Sequence, residues 1–440
     1  MEIQRRFPKV VRVTQEVSGP VVADVAGEVE RGLGALDLGR RIRAGETVGV
    51  GAGSRGITGM LEVLQTVVAH LKGLGADPFV VPAMGSHGGG TADGQRNVLG
   101  SYGITESALG CPIRSSMEVV DLGPSRRGIP LWQDQAAAGA DHIILCNRIK
   151  PHTMFTGAVE SGLVKMLMIG LGKEKGASVC HRAVMDLGWP GMVEELAPPL
   201  ISRSRLLAGV AVVERADEQT ARVAVLAPDR WLAEEPELLE LARRLMSRLP
   251  FDAVDLLLLD RIGKNISGAG MDTNVIGRKD TVHPPAHHPG VPVRLIAIRG
   301  LTPETGGNSI GLGLAEFARS RVLQAMDPRI TRLNALTAGD PAGAMLPVDF
   351  ETDAEILDVA LAMAGLRRPD QARLVWAPNT LDLRHTICST ALAEEARDGV
   401  EVLGEPFDLP LDDGGNLPDD LSDVWDDPIS AGADDLKLQA

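Results

Sequence analysis

The sequence predicts an α/β protein of two domains, each built on a mainly parallel sheet, with an active-site cleft between them. Three observations carry this. Apolar runs of strand length alternate with amphipathic stretches of helix length, as when helices cross over a parallel sheet. A chain of 440 residues is too long for one ordinary core. The pattern also restarts after Pro250, where a long charged segment ends and a new apolar run begins.

The strands of the first half are ETVGVGA (46–52), DPFVVPA (77–83), DHIILCNRI (141–149) and AGVAVVE (208–214). Helices are expected over 58–74, where apolar residues recur at helical spacing, and over 234–249. The second series is DAVDLLLLDRI (252–262), VPVRLIAIRG (291–300) and ARLVWAPN (372–379), with a helix over 353–364. The expected domains are therefore 1–249 and 250–410. Residues 411–440 are acidic and rich in turn formers, which reads as a loosely held tail that contains the pairs Asp412-Asp413 and Asp426-Asp427.

A formal net charge of −15 argues against nucleic acid or an anionic membrane as the main partner, since both reward basic patches. The N-terminal segment has no apolar stretch of secretory-signal length, and no window approaches eighteen uninterrupted apolar residues, so a cytoplasmic protein is expected. Cys111, Cys146, Cys180 and Cys388 are widely spaced and read as buried thiols, neither a zinc knuckle nor a disulfide framework.

In open α/β sheets ligands bind beyond the carboxyl ends of the strands, where loops and helix N-termini converge. Four loops at such ends carry the unusual residues: Gly53-Ser54-Arg55-Gly56, Met84-Gly85-Ser86-His87-Gly88-Gly89-Gly90, Lys150-Pro151-His152 and Gly263-Lys264-Asn265. Taken singly, Arg55 and Lys264 read more readily as surface charges, while His87 and His152 have a structural as well as a functional reading. If the strands are neighbours, the four residues face one cleft.

The segment GAVESGLVK (157–165) partly matches a phosphate loop, but Lys165 comes two residues late and Met166 replaces the Mg²⁺-binding hydroxyl, which argues against a Walker-type site. The Ser161-Gly162 turn could still hold a phosphate at a helix N-terminus. Lys165 is either a snorkelling lysine or a desolvated nucleophile and anchor. His181 follows Gly170, Gly172 and Gly176 at the expected start of a further helix, as a structural residue or a ligand for nickel, copper or zinc. His287-His288 reads as a solvated loop.

With these positions side by side, the sequence resembles the nickel-dependent lactate racemase family of 2-hydroxyacid racemases and epimerases. The resemblance spans both halves and is strongest over 84–181. It implies that the G-S-H loop and the P-H loop supply acid/base residues His87 and His152, and that S-G-x-x-K supplies Lys165. That lysine would carry, through a thioamide bond, a nickel-pincer nucleotide, a pyridinium-3-thioamide-5-thiocarboxylic acid mononucleotide. His181, sixteen residues later, would complete the nickel coordination, with Ser54, Ser161 and Gly162 beside the nucleotide. Arg55 and Lys264 would hold the substrate carboxylate. The implied partners are a small 2-hydroxy acid and the enzymes that build the cofactor.

The chain departs from the family pattern in three places. Where the family has D-x-T-R-P, this chain has Ala52-Gly53-Ser54-Arg55-Gly56; Gly88 replaces an arginine after the first histidine; and the interval from His152 to Lys165 is about three residues longer. Two other readings stand beside this one. One is a phosphate-loop-like nucleotide-binding protein or kinase, the other a non-catalytic hydroxyacid- or cofactor-binding member of the racemase fold.

Overall fold

A computed structural model describes residues 7–53, 56–279 and 290–425. Ser54, Arg55, His287, His288, Asp426 and Asp427 lie outside the described residues. The strands are β1 (Val10–Gln15), β2 (Thr47–Ala52), β3 (Asp77–Pro82), β4 (Val119–Pro124), β5 (Pro130–Asp134), β6 (His142–Arg148), β7 (Leu206–Glu214), β8 (Thr220–Leu226), β9 (Val254–Leu259), β10 (Val293–Ile298), β11 (Phe317–Arg319), β12 (Val348–Phe350), β13 (Leu374–Ala377), β14 (His385–Ser389) and β15 (Val400–Phe407). Each strand read from the sequence forms within two residues of its expected start.

The chain divides into two compact units, Ser18–Met246 and Met1–Val17 with Ser247–Ala440. The first holds a five-stranded sheet in the order β3-β2-β6-β7-β8, parallel except for the last pair. Alternation along β6 explains its two covered faces. Ile143 and Leu145 pack with Leu163, Leu167, Met192 and Trp231 on one side, while Ile144 and Cys146 pack with the helices Val25–Ala35 and Met60–Gly73 on the other. A parallel sheet buried on both faces needs such near-continuous apolar strands, and β7 is buried along all nine residues.

The second unit holds an eight-stranded sheet in the order β12-β11-β10-β9-β13-β14-β1-β15. Its first five strands are parallel, and its last three join antiparallel. Here the structure corrects two expectations. The segment that includes β1 does not belong with the first unit: Val10, Val11 and Val13 are buried, and β1 pairs on both edges with β14 and β15. An apolar strand with two open edges is stabilised where it completes a sheet, and sequence proximity to β2 has no bearing on that.

The first part of the acidic tail is also docked. Leu417, Leu421 and Val424 are buried in the core of the second unit. The buried Arg299 donates to the Leu417 and Pro418 carbonyls at 3.0 and 2.7 Å, and Asp353 and Asp260 accept from the Leu417 and Leu421 amides at 2.9 Å each. Three apolar anchors spaced among the acidic residues outweigh the composition. All four cysteines are free and buried, as expected.

Candidate functional site

Because β3, β2 and β6 are adjacent and parallel, with Ala52 level with both Pro82 and Cys146, the loops that follow them leave the same edge of the sheet. The loops that carry His87 and His152 thus meet in the first unit. They surround the segment 162–181, which runs from the short helix Leu163–Lys165 through a π-helical turn, Met166–Gly170, into the long helix Lys173–Arg203. The Leu171 amide donates to the Met166 carbonyl at 2.9 Å, five residues back, and such widened turns recur at functional sites.

The loop of His87 is fastened to this segment. The Gly85 amide donates to the Gly170 carbonyl at 3.0 Å. Gly88 has φ +67°, and a Cβ there would meet the Gly94 and Gln95 backbone at 2.5 and 2.6 Å. That is a physical reason for glycine where the family carries arginine. His87 itself is exposed.

Beneath the loop lies a polar network the sequence reading missed. Gln95, fully buried, donates through Nε2 to the carbonyls of Gly85 (2.8 Å) and His87 (3.3 Å). Its Oε1 accepts from Lys173 Nζ at 2.9 Å. Lys173, also fully buried, donates to the Pro82 carbonyl and lies 3.2 Å from Asp134 Oδ2. Burial pushes the Lys173 ammonium down and the Asp134 carboxyl up, each toward its neutral form, and each partner opposes the other's shift. Lys173 holds φ +53°, unusual for a side chain with a Cβ, so packing on all sides fixes this residue.

His152 is half-buried, with Nδ1 accepting from the Met154 and Phe155 amides at 3.1 Å each. With that nitrogen occupied as an acceptor, the neutral ring carries its proton on Nε2. The ring stacks on Phe155 at 4.3 Å, and Phe155 stacks on Trp189 at 4.4 Å. Gly188, at φ +65°, breaks the long helix just before Trp189, whose indole donates to the Val159 carbonyl at 2.6 Å. Glu160, buried, accepts from the amides of His152 and Gly157 at 2.7 and 3.2 Å, and Arg243 neutralises it at 2.7 Å.

Ser161 does not form a phosphate-holding turn. It forms a bridge with Lys150, and Gly162 is extended, with the helix beginning after it. The place a phosphate would take is filled by Glu235, a fully buried residue that accepts from the Val164 amide at 3.1 Å and lies against Gly162. Burial raises this carboxyl to about 7, against the pull of the Val164 and Leu163 amides. The phosphate-loop reading of GAVESGLVK is therefore not met by the fold.

Glu235 makes stability depend on pH. Its folded value lies above the unfolded one of 4.5, so its contribution is fully present below the unfolded value and is lost as pH rises through about 7. Glu235→Gln should be more stable than the parent by up to about 3 kcal/mol at pH 8, with the difference vanishing near pH 4. Urea unfolding at both pH values measures this; an equal gain at both would refute it.

Lys165 is half-buried in the turn before the π-helix, and His181 lies in the third turn of the helix Lys173–Arg203, not at a helix start as expected. Gly172 and Gly176 allow close packing there and do not stop the helix. Burial first, and then the charge of Lys165, hold the His181 imidazole below its usual range. Both effects favour the neutral imidazole, the form that carries a lone pair. In the second unit Lys264 is half-buried, its ammonium donating to the Gly268 carbonyl at 2.6 Å and its amide to Thr305 Oγ1 at 3.3 Å.

One signal could have found Glu235: Trp231, Glu235, Leu239 and Ala242 are buried at helical spacing, so the acid sits on an apolar stripe. Gln95 shares the buried face of its helix with Leu99 in the same way. Lys173 and Asp134 carry no comparable mark. Among the described residues no group of three or more His, Cys, Asp or Glu is placed to hold a metal ion, and no helix is long and apolar enough to cross a membrane.

Residues 50–188 match the family model of the lactate racemase N-terminal domain. The lactate racemase apoprotein from Thermoanaerobacterium thermosaccharolyticum shares the fold with a TM-score of 0.52 at 12% identity, over 84% of this chain and 98% of that one. A Thermotoga maritima protein gives 0.44 at 14% identity, over 64% of this chain and 72% of that one, too slight a likeness to argue from. No curated protein sequence matches the chain. Fold and matched domain define the class as an α/β protein of lactate racemase architecture. Residues 50–188 are thus similar to the lactate racemase N-terminal domain, and the chain shares its fold with the lactate racemase apoprotein.

Proposed function

We propose that the chain is a cytoplasmic racemase or epimerase of a small 2-hydroxy acid, working with a covalently tethered nickel-pincer nucleotide that cofactor-building enzymes supply. The observation that carries this reading is the convergence of the His87 and His152 loops, at one edge of the sheet, on the helical segment that runs from half-buried Lys165 to His181.

The residues fit such a group as anchor and metal ligand, with Lys165 taking the covalent bond and His181 offering nitrogen. They do not fit a phosphate at Ser161-Gly162, where Glu235 already stands. When bound, the nucleotide supplies a reversible acceptor for the Cα hydrogen as hydride, chemistry that side chains lack. The chain's part is proton transfer and placement. One histidine takes the hydroxyl proton as the substrate flattens to a 2-keto acid, and the other gives a proton back after the keto group turns over, with Arg55 and Lys264 holding the carboxylate. The histidines are not equivalent in this structure. For His152 to hold protons on both nitrogens, Nδ1 must release the Met154 and Phe155 amides, so its proton uptake is tied to movement of its own loop.

The test is intact-mass and nickel analysis of protein made alongside the cofactor-building enzymes. A nucleotide-sized adduct on the Lys165 peptide, absent in Lys165→Ala, and nickel that falls in His181→Ala are expected. Nickel-containing, active protein with unmodified Lys165 would overturn the assignment.

A further inference from the structure

The helix Pro328–Ala338 of the second unit turns its small and polar residues inward. Thr331 and Ala335 are buried, Thr331 Oγ1 accepts from the Ser309 amide at 3.1 Å, and Asn334 Oδ1 accepts from Asn308 at 2.8 Å. Its large apolar residues, Ile330, Leu333 and Leu336, face outward and are 42, 67 and 65% exposed. A surface helix with no partner shows the opposite arrangement.

The chain reverses at Gly339, and the turn Ala342–Ala344 packs against the same helix. Met345, Leu346 and Val348 follow, each more than half exposed, and Val348 opens β12 at the sheet edge. Together these six side chains expose on the order of 600 Å², against the ~800 Å² per partner that a stable complex buries.

The charges select the partner. Asp327 caps the helix with its carboxylate on the Arg329 and Ile330 amides, but the exposed Arg329 and Arg332 in its first turns, and Asp340 beyond its C-terminus, which also accepts from the Gly343 amide, run against the helix dipole. Against a second copy running antiparallel the order becomes favourable: each protomer's arginines meet the other's negative helix end and Asp340. We propose that this face is an isologous dimer interface, the helix Pro328–Ala338 packed antiparallel on its copy about a twofold axis near Leu333.

Light scattering of the full chain at micromolar concentration should give the mass of a dimer. Leu333→Glu with Leu336→Glu should give a monomer with unchanged circular dichroism, and Arg329→Glu with Arg332→Glu should raise the dissociation constant at least tenfold. Leu333→Cys, close to its own copy across the axis, should crosslink on oxidation within the dimer peak. A monomeric parent chain, a dimer indifferent to the leucine substitutions, or a dimer that Leu333→Cys does not crosslink would each overturn the proposal.

Discussion

Lys173→Met is expected to destabilise the protein by about 3–5 kcal/mol at neutral pH, the range for removing one partner of a buried ion pair. The substitution keeps the stem's volume and leaves Asp134 without its counter-charge. Asp134 is itself fully buried, and burial already raises its carboxyl. Without Lys173 it should rise further and take up a proton. The stability of the variant should therefore be greatest at low pH and fall as pH rises, so its deficit is larger at pH 8 than at pH 5. Adding Asp134→Asn should recover much of the loss at pH 8 and little at pH 5. Chemical denaturation of the four proteins at the two pH values forms the cycle; a deficit independent of pH, with no recovery in the double variant, would mean the pair is not coupled as described.

A second consequence follows for the loop above. Lys173 holds Gln95, and Gln95 holds the Gly85 and His87 carbonyls. Gln95→Glu keeps an acceptor for Lys173 but replaces the donor to the loop by an acceptor facing two carbonyl oxygens, so it should loosen the His87 loop and lower stability, which amide hydrogen exchange over residues 85–90 and urea unfolding read.

In cofactor-loaded protein, His87→Ala and His152→Ala should each lower racemisation by ~10²–10⁴-fold, the usual contribution of a positioned acid or base. Each should do so in both directions, because every turnover needs one histidine to take a proton and the other to give one. The Lys165 adduct and the nickel should remain, which separates loss of proton transfer from loss of the cofactor. Polarimetry or chiral chromatography on candidate 2-hydroxy acids reads the rate. In deuterated water no label should enter Cα, since that hydrogen leaves and returns as hydride. Full activity in either variant, or stoichiometric label at Cα, would end the two-histidine hydride reading.

The strands around this site were legible because β2, β3, β6 and β7 are buried along most of their length and so are written as largely apolar runs. The loops after them were legible because glycine, histidine and lysine at strand ends have few structural explanations. The strand β1 was harder to read. Its six residues, VVRVTQ, show a mixed pattern, and its partners β14 and β15 come more than 360 residues later.

The sequence by itself determined the α/β class, the break near Pro250 and the order of His87, His152, Lys165 and His181 along the chain. These are properties of local periodicity and spacing. Only the tertiary structure decided that Glu235 fills the helix N-terminus read as a phosphate site, that Lys173 is a buried tie and not a surface charge, and that the tail from Leu411 to Trp425 is docked. In each case the deciding quantity is burial of a charged or polar segment. Burial is set by what distant parts of the chain leave open: whether a carboxylate, an ammonium or a backbone amide finds water or a partner depends on contacts between residues far apart in sequence.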